Sequence, residues 1–230
     1  MASLYLKKSP MLDFHSSLTL PAPSRADRDV ANASKGHCTA FAVLGEGAGI
    51  RVKAESHLEF CHLLLLNARE DVVDLREQVR FRHRRIEHVF DIVATLATGK
   101  TIGFTVKPEI RLLSGRFLEK MGLVTWHARK QDFVDEVRLL TEADIDPVDL
   151  HNAKILAAVR RPDPDAEHVA RAVASGLVGG RSLQDLTVAT GLHARGYRAL
   201  LRLVRAGVLR TVRHEPITPK TLVCWKGDSE

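Results

Sequence analysis

The chain has 230 residues, enough for one large domain or two modest ones, and its 45% hydrophobic content supplies a buried core. Its net charge is +6, of which residues 167–230 carry +5, and this basic balance favours polyanionic partners. Three widely spaced cysteines argue against a zinc or disulfide scaffold, and the lack of any apolar run near the roughly 20 residues that cross a bilayer predicts a cytoplasmic protein with no membrane partner.

Residues 1–45 contain three prolines and little periodicity. We expect an irregular N-terminal arm there, with short strands near Leu18–Leu20 and Phe41–Leu44. An arm that reaches a partner and a loose terminus are both compatible with this composition. The glycine-rich stretch 45–49 predicts a turn and not a phosphate-binding loop, because no G-K-[ST] follows it.

Residues 46–147 alternate between helical and strand patterns. Leu58, Cys61 and Leu65 recur at helical spacing, whereas HVFDIVATL and TIGFTVK are rich in β-branched and aromatic residues and flank a turn at Gly99. The pattern predicts an α/β domain in the order αβββαβ, a mixed sheet flanked by helices. The predicted elements are a helix at 55–68, strands at 72–86, 88–96 and 101–107, a helix at 112–129 and a strand at 134–140.

The hairpin around Gly99 brings candidate site residues together. If the turn is symmetric about Gly99, Asp91 lies directly opposite Lys107, and the two side chains project from one face as a pair. Thr105 stands two residues before Lys107 and is therefore expected to point to the same face.

The preceding helix contributes acidic side chains. Glu55 and Glu59 are four residues apart and so lie on one side of it. A carboxylate on a helix, an aspartate on one strand and an x-Lys on the next is the arrangement of PD-(D/E)xK nucleases. Hard oxygen ligands of this kind bind Mg²⁺, which polarises a phosphate and lowers the pKa of bound water. A neighbouring ammonium can orient the attacking water or stabilise developing negative charge.

Within that class, the segments SHLEF, DVVDLREQ, FD and TVKP resemble the TnsA family, the endonuclease subunit of heteromeric transposases. The resemblance covers roughly residues 46–146. It implies a restriction-endonuclease-like domain in which Glu59, Asp91 and Lys107 are catalytic, with Mg or Mn as the cofactor.

The metal shell that the resemblance implies consists of Glu59, Asp91, the carbonyl of Val106 and the residue before it. The family usually has glutamine at that last position, whereas this chain has Thr105, whose hydroxyl is a shorter and weaker ligand. Either a water completes the shell or the site is weakened or inactive. Two further acids could compensate, namely Glu55 and Glu109.

Three arginines alternate along the predicted strand 72–86. Because alternate residues of a strand share a face, they predict either a phosphate-contacting row beside the site or a solvated face. These residues are Arg80, Arg82 and Arg84.

The stretch 148–166 is predicted as a linker, and its part around Pro162 and Pro164 is either a linker or a boundary within one helical domain. Residues 167–230 predict three helices and a hairpin. A serine cap, a glycine turn and periodic leucines favour a winged helix-turn-helix domain. The third helix carries four arginines on one face, namely Arg195, Arg198, Arg202 and Arg205. The face predicts DNA contact or protein docking, which the resemblance associates with the transposition ATPase; a solubilising stripe is the third alternative.

The resemblance implies a subunit that cuts the 5′ ends of a transposon, on the non-transferred strand. Its partners would be transposon-end DNA, a DDE-type transposase and an AAA+ ATPase. Two alternatives stay open: a catalytically degenerate, nuclease-like DNA-binding regulator that uses its winged helix, and a stand-alone restriction or repair nuclease.

Overall fold

A four-stranded mixed sheet forms the centre of the fold in a computed structural model that describes residues 19–29 and 38–227. The elements of this N-terminal unit are β1 (Ala40–Leu44), β2 (Ile50–Ala54), α1 (His57–Asn67), β3 (Val72–His83), β4 (Ile86–Leu96), β5 (Thr101–Val106), α2 (Arg116–Lys130) and β6 (Glu136–Leu140). Strands β3, β4 and β5 are antiparallel neighbours, and β6 pairs parallel with β5 because α2 crosses between them. The predicted mixed sheet flanked by helices is confirmed.

Each face of the sheet buries one helix. On one face Ile92, Ile102 and Phe104 cluster with leucines of α1, and on the other Phe90 clusters with Val124 of α2. A fully buried aliphatic or aromatic side chain contributes about 1.5–3 kcal/mol. This packing holds α1 in place, since a helix of 11 residues is marginal in water on its own.

Residues 19–29 form a strap that pairs with β2 at Ala22 and then runs along the outer edge of β3. The Asp27 backbone N–H donates to the Gln78 carbonyl at 3.1 Å, and the Asp27 carboxylate accepts from the Arg80 N–H at 2.8 Å. Arg25 adds an ion pair with an aspartate of β3. The strap therefore satisfies backbone groups that an open sheet edge would leave unpaired.

Helices and a small sheet make up the C-terminal part of the chain. Its elements are α3 (Pro147–Ala158), α4 (Pro164–Ser175), β7 (Arg181–Ser182), α5 (Leu183–Thr190), α6 (His193–Arg205), β8 (Leu209–Thr211) and β9 (Leu222–Trp225). The sheet order is β7-β9-β8. Ser182 caps α5 by accepting from the Asp185 N–H, and Gly191 ends that helix with a φ of +68°.

The stretch 148–166, predicted as a linker, is mostly helical. Asp146 caps α3 and Pro147 occupies its first turn, while Pro164 begins α4. Proline is well tolerated at the first helical position, so Pro164 starts a helix, whereas Pro162 lies in the short connection between α3 and α4. Only residues 159–163 connect the two.

The strand and the turn predicted near residues 41–49 are both found in the structure. The strand predicted at Phe41–Leu44 is β1, and 45–49 is the β1–β2 turn, whereas residue 18 of the predicted strand near Leu18–Leu20 lies outside the described residues. Of the helices in the described residues, none combines the length and the apolarity needed to span a bilayer.

Candidate metal and nucleic-acid site

Glu59 lies in the first turn of α1, where backbone N–H groups have no helical partner. Ser56 caps the helix by accepting a hydrogen bond from the Glu59 N–H at 3.1 Å. The buried Glu59 carboxylate accepts from the Ser56 hydroxyl at 3.0 Å and from the Glu55 N–H at 2.9 Å. These bonds fix the carboxylate, and they also give it a capping role that needs no metal.

Asp91 lies at an irregularity that β3 and β4 share. The register is the same on both sides of Gln78 and Asp91, which stand between the pairs Glu77–Ile92 and Val79–Phe90. Phe90 and Ile92 nevertheless belong to cores on opposite faces of the sheet, although alternate residues of a regular strand share a face. Gln78 has a φ of +50°. Both strands therefore change face here, which takes Asp91 out of the regular alternation.

The predicted pairing of Asp91 with Lys107 about a central Gly99 is wrong in its register. The observed register is shifted by two residues, since Ile92 lies opposite Phe104, so Lys107 does not lie opposite Asp91. The turn explains the shift: the Gly99 N–H donates to the Leu96 carbonyl at 2.8 Å, and Gly99, with a φ of +82°, ends the turn and does not occupy its centre. Asp91 and Lys107 still meet, because the Lys107 Nζ is 3.9 Å from the Asp91 Oδ2.

The Asp91 carboxylate is buried, with 6% of the residue exposed. Its Oδ2 accepts a hydrogen bond from the Val106 N–H at 2.7 Å. Burial raises the pKa of Asp91 from 3.8 to about 6; Lys107 opposes the rise, the Glu59 charge adds to it, and the Val106 N–H and Arg28 oppose it. The surroundings thus compensate the carboxylate's charge only partly, and a cation would be stabilised beside it.

The chemistry of these donors suits a divalent cation, since Mg²⁺ is commonly held by one or two carboxylates with waters completing its shell. The two carboxylates here are Glu59 and Asp91, and the Glu59 charge raises the pKa of Asp91. Within residues 19–29 and 38–227, three acid or histidine ligand atoms within 4.8 Å of one another occur only at the exposed Asp146, Asp149 and His214. There Asp146 caps α3 and His214 bonds to Asp149, so that cluster is explained without a metal.

Thr105 is engaged by a histidine. Its hydroxyl is hydrogen-bonded to the His88 Nε2 at 2.8 Å, and the His88 ring packs edge-on against Phe90. Burial, with the nearby Lys120 and Lys107 charges, lowers the pKa of His88 to about 4, so the ring is neutral at physiological pH. The predicted Thr105 contact to a metal gains no support from this geometry. His88 carries no signal in the sequence, because its role depends on the register.

Two further side chains join the site. Gln78 is fully buried; its Nε2 donates to the Glu59 Oε2 at 3.2 Å, and its Oε1 accepts from the Arg28 Nε at 2.8 Å. Arg28 also pairs with Glu55, so Glu55 offsets a guanidinium and is not free to compensate for Thr105. Glu109 is exposed in a 3-10 turn. Gln78 ends the DLREQ segment, whereas Arg28 has no sequence signal.

The arginine row on β3 is shorter than predicted. Arg80 and Arg82 are exposed on one face, and Arg80 lies 3.6 Å from Glu87. Arg84 is in the β3–β4 turn, with a φ of +53°. The predicted strand continued past this turn because the turn consists of arginines and contains none of the glycine, proline or asparagine residues that usually indicate one.

Two of the four arginines predicted to contact DNA or a partner from α6 point into the protein. Arg202 pairs with Glu167 and Arg205 with Glu46, and the two arginine side chains are only 9% and 8% exposed. Arg205 also donates to the Leu156 and Gly45 carbonyls. Their predicted role in binding a nucleic acid or a partner is wrong, since little of either side chain reaches the surface.

The other two are exposed but engaged. Arg195 forms a bidentate ion pair with Asp163, at 2.9 and 2.8 Å, and Arg198 donates to the Ala158 carbonyl at 3.2 Å. Helical periodicity shows which residues share a face, but it does not show whether that face meets solvent or protein. Here the arginine face of α6 meets α3, α4 and the β1–β2 turn.

No model of a known protein family matches the chain, and a search of curated proteins finds no match.

Proposed function

We propose that the protein is a Mg²⁺-dependent DNA endonuclease. The observation that supports this most is the environment of Asp91. Its carboxylate is buried, and its pKa is raised to about 6, in part by the charge of Glu59. The Lys107 ammonium lies 3.9 Å away. Two acids beside one amine are the groups that metal-assisted phosphodiester hydrolysis uses. Exposed arginines on β3, Arg80 and Arg82, supply positive charge suited to a DNA backbone.

In this proposal Glu59 and Asp91 hold the cation, and the carbonyl of Val106 is a further oxygen ligand. When bound, Mg²⁺ polarises the phosphate and lowers the pKa of its water. The Val106 N–H orients the Asp91 carboxylate through its hydrogen bond. Lys107 orients the attacking water or stabilises the negative charge that develops on the phosphate.

We further propose that the enzyme is the TnsA-like subunit of a transposition machine. It would cut the 5′, non-transferred strand at the transposon ends, beside a DDE-type transposase and an AAA+ ATPase. The support is the resemblance of SHLEF, DVVDLREQ, FD and TVKP to that family. The family's catalytic positions fall on Glu59, Asp91 and Lys107; Lys107 lies 3.9 Å from Asp91, and the Glu59 charge raises the pKa of Asp91.

We also propose that the C-terminal unit is a winged helix-turn-helix domain. Its order of helix, strand, two helices and hairpin, with β7 paired to β9, supports this. Because the arginine face of α6 is covered, DNA or ATPase contact would fall to exposed cations near the hairpin, namely Arg210, Arg213 and Lys220.

Cleavage of labelled transposon-end DNA tests the proposal. The wild-type chain, with its co-encoded transposase, should nick the 5′ strand in Mg²⁺ or Mn²⁺ and leave 3′-hydroxyl and 5′-phosphate ends. EDTA should abolish the nick. A chain that binds the DNA but never cuts it, with any metal or with the transposase, would refute the endonuclease proposal.

One observation favours a second candidate, a catalytically inactive DNA-binding regulator on a nuclease-like scaffold. Thr105 bonds to His88, and both carboxylate oxygens of Glu59 already accept hydrogen bonds within the chain. Such a regulator would bind its DNA equally well in Mg²⁺ and in EDTA, whereas the enzyme would bind a non-cleavable DNA more tightly with the metal present.

A further inference from the structure

We infer that Gln78 and Arg28 are positioning residues for the proposed metal ligand Glu59. This inference rests on the proposed function and deepens it, because it adds two side chains to the site that hold a ligand without touching the metal. The contacts run in one line, from the Arg28 Nε to the Gln78 Oε1 at 2.8 Å, and from the Gln78 Nε2 to the Glu59 Oε2 at 3.2 Å.

The line fixes the orientation of the Gln78 amide. A glutamine amide has one accepting and one donating end, and a guanidinium only donates. Arg28 therefore donates to the amide oxygen of Gln78, and the NH₂ group of Gln78 donates to the Glu59 carboxylate. The flipped amide would place two donors together at Arg28 and two acceptors together at Glu59. Arg28 thereby acts on Glu59 through the glutamine.

Burial and backbone conformation support a role for Gln78 in the site. The residue is fully buried and has a φ of +50°, in the left-handed region that residues other than glycine rarely adopt. A leucine or methionine in this core would bury apolar surface without a polar group to satisfy. Backbone strain and a buried amide persist together at places where a specific polar contact is needed.

Arg28 connects the site to the strap. It lies at the strap's C-terminal end, and its guanidinium also pairs with Glu55. Arg25, three residues earlier, binds Asp74 in an exposed ion pair. The two arginines thus hold the same segment, but only Arg28 leads to Glu59. This difference provides a matched control.

The test is Mn²⁺ binding by the full-length chain without DNA, measured by calorimetry and by the loss of the free-ion electron paramagnetic resonance signal. Gln78→Met keeps the side-chain length and removes both hydrogen bonds, Arg28→Met removes the guanidinium, and Arg25→Met is the control. Loss of a residue that orients a metal ligand typically weakens metal binding about 10- to 100-fold. We expect a weakening of at least about tenfold for Gln78→Met and Arg28→Met, and less than twofold for Arg25→Met.

The double variant Arg28→Met/Gln78→Met shows whether Arg28 acts on Glu59 through Gln78 or independently of it. Because Arg28 acts through Gln78, the double variant should bind Mn²⁺ about as weakly as Gln78→Met alone. Arg28→Lys, which keeps the charge and can donate to the same oxygen, should recover part of the affinity. Should Gln78→Met misfold, Gln78→Gly relieves the positive φ and removes the amide, and it replaces Gln78→Met in the comparison.

Wild-type Mn²⁺ affinity in Gln78→Met and Arg28→Met, with binding lost in Asp91→Asn, would overturn the positioning role and leave the endonuclease proposal standing. Equal weakening in Arg25→Met would overturn it as well, because the strap as a whole would then be responsible. If the wild-type chain binds no Mn²⁺ or Mg²⁺ at all, the positioning role falls together with the proposed metal site.

Discussion

The Lys107 ammonium lies 3.9 Å from the Asp91 carboxylate, although the two residues are not paired across their hairpin. The chain reaches this contact where β4 changes face next to Asp91 and where Lys107 follows the last residue of β5. The carboxylate and the amine can therefore face one substrate from neighbouring strands.

Asp91→Asn and Lys107→Met should each reduce Mg²⁺-dependent cleavage about 100-fold or more, since groups that bind the metal or stabilise transition-state charge contribute on that scale. Asparagine can still accept the Val106 hydrogen bond, so the fold should survive. The measurement is single-turnover nicking of end DNA. Asp74→Asn, which removes an exposed carboxylate of β3, is the control and should cut at the wild-type rate. Full activity in either site variant would exclude the assignment.

Metal affinity should depend on pH through Asp91, whose pKa is raised to about 6. A carboxylate must be deprotonated to bind a metal, so the apparent affinity for Mg²⁺ should fall by up to about tenfold per pH unit below that value. Titrations from pH 5 to 8 that show no change would contradict an Asp91 ligand.

Without metal, Asp91 should destabilise the fold at neutral pH. Its folded-state pKa of about 6 lies above its ordinary value of 3.8, so between these values the folded state binds more protons than the unfolded state. The free energy of unfolding then decreases as pH rises through this window. Asp91→Asn should raise the free energy of unfolding by about 2–3 kcal/mol at pH 7.5 in EDTA, and by much less near pH 4.5.

Urea unfolding at the two pH values measures this difference, and added Mg²⁺ should reverse the ranking. The metal binds only the folded wild-type chain, so it should raise the wild-type Tm and leave Asp91→Asn unchanged. A variant less stable than wild type at pH 7.5 in EDTA would show that Asp91 is a structural ion-pair member and not an undercompensated acid.

Much of the fold could be predicted from the sequence, because period and caps are local properties. The order αβββαβ followed from apolar spacing, and Ser182 and Gly191 bounded α5 as expected. The linker was predicted too long because proline occurs both in loops and at the first position of a helix: Pro162 lies in the connection 159–163, whereas Pro164 begins α4.

The site was predictable only in part. Glu59, Asp91 and Lys107 carry motif signals, but their arrangement depends on the change of face that β3 and β4 make at Gln78 and Asp91, which a strand pattern does not reveal. Arg28 comes from a segment more than 20 residues away from any of them in sequence. The partners of Arg202 and Arg205 depend on how α6 packs on α3 and α4, which helical spacing leaves undetermined.

Thr105→Val tests whether this residue serves the metal or the fold. Valine removes the hydroxyl and leaves the partly buried His88 without its partner, which should cost about 1–3 kcal/mol. Because Thr105 bonds to His88 at 2.8 Å, Mn²⁺ affinity should change less than twofold. Calorimetric titration measures the Mn²⁺ affinity, and urea unfolding measures the loss of stability. A tenfold loss of Mn²⁺ affinity would show that Thr105 is a metal ligand.

Arg205→Met and Arg82→Met should separate stability from DNA binding. Arg205 is 8% exposed and bonds to Glu46 and two carbonyls, so its loss should destabilise the chain by about 2–4 kcal/mol, since it breaks a largely buried set of charged hydrogen bonds. Affinity for duplex DNA should stay within twofold of wild type when measured well below the unfolding transition.

Arg82 is exposed on β3, and Arg82→Met should show the opposite pattern. Its stability should stay within about 0.5 kcal/mol of wild type, as for most surface substitutions. DNA affinity should fall, and the dependence of the binding constant on salt concentration should become shallower by about one counterion, because one phosphate contact is lost. Fluorescence anisotropy at several salt concentrations measures both. If Arg205→Met weakens DNA binding while the chain stays fully folded, α6 contacts DNA after all, and the inward orientation of its arginines is not the binding-competent one.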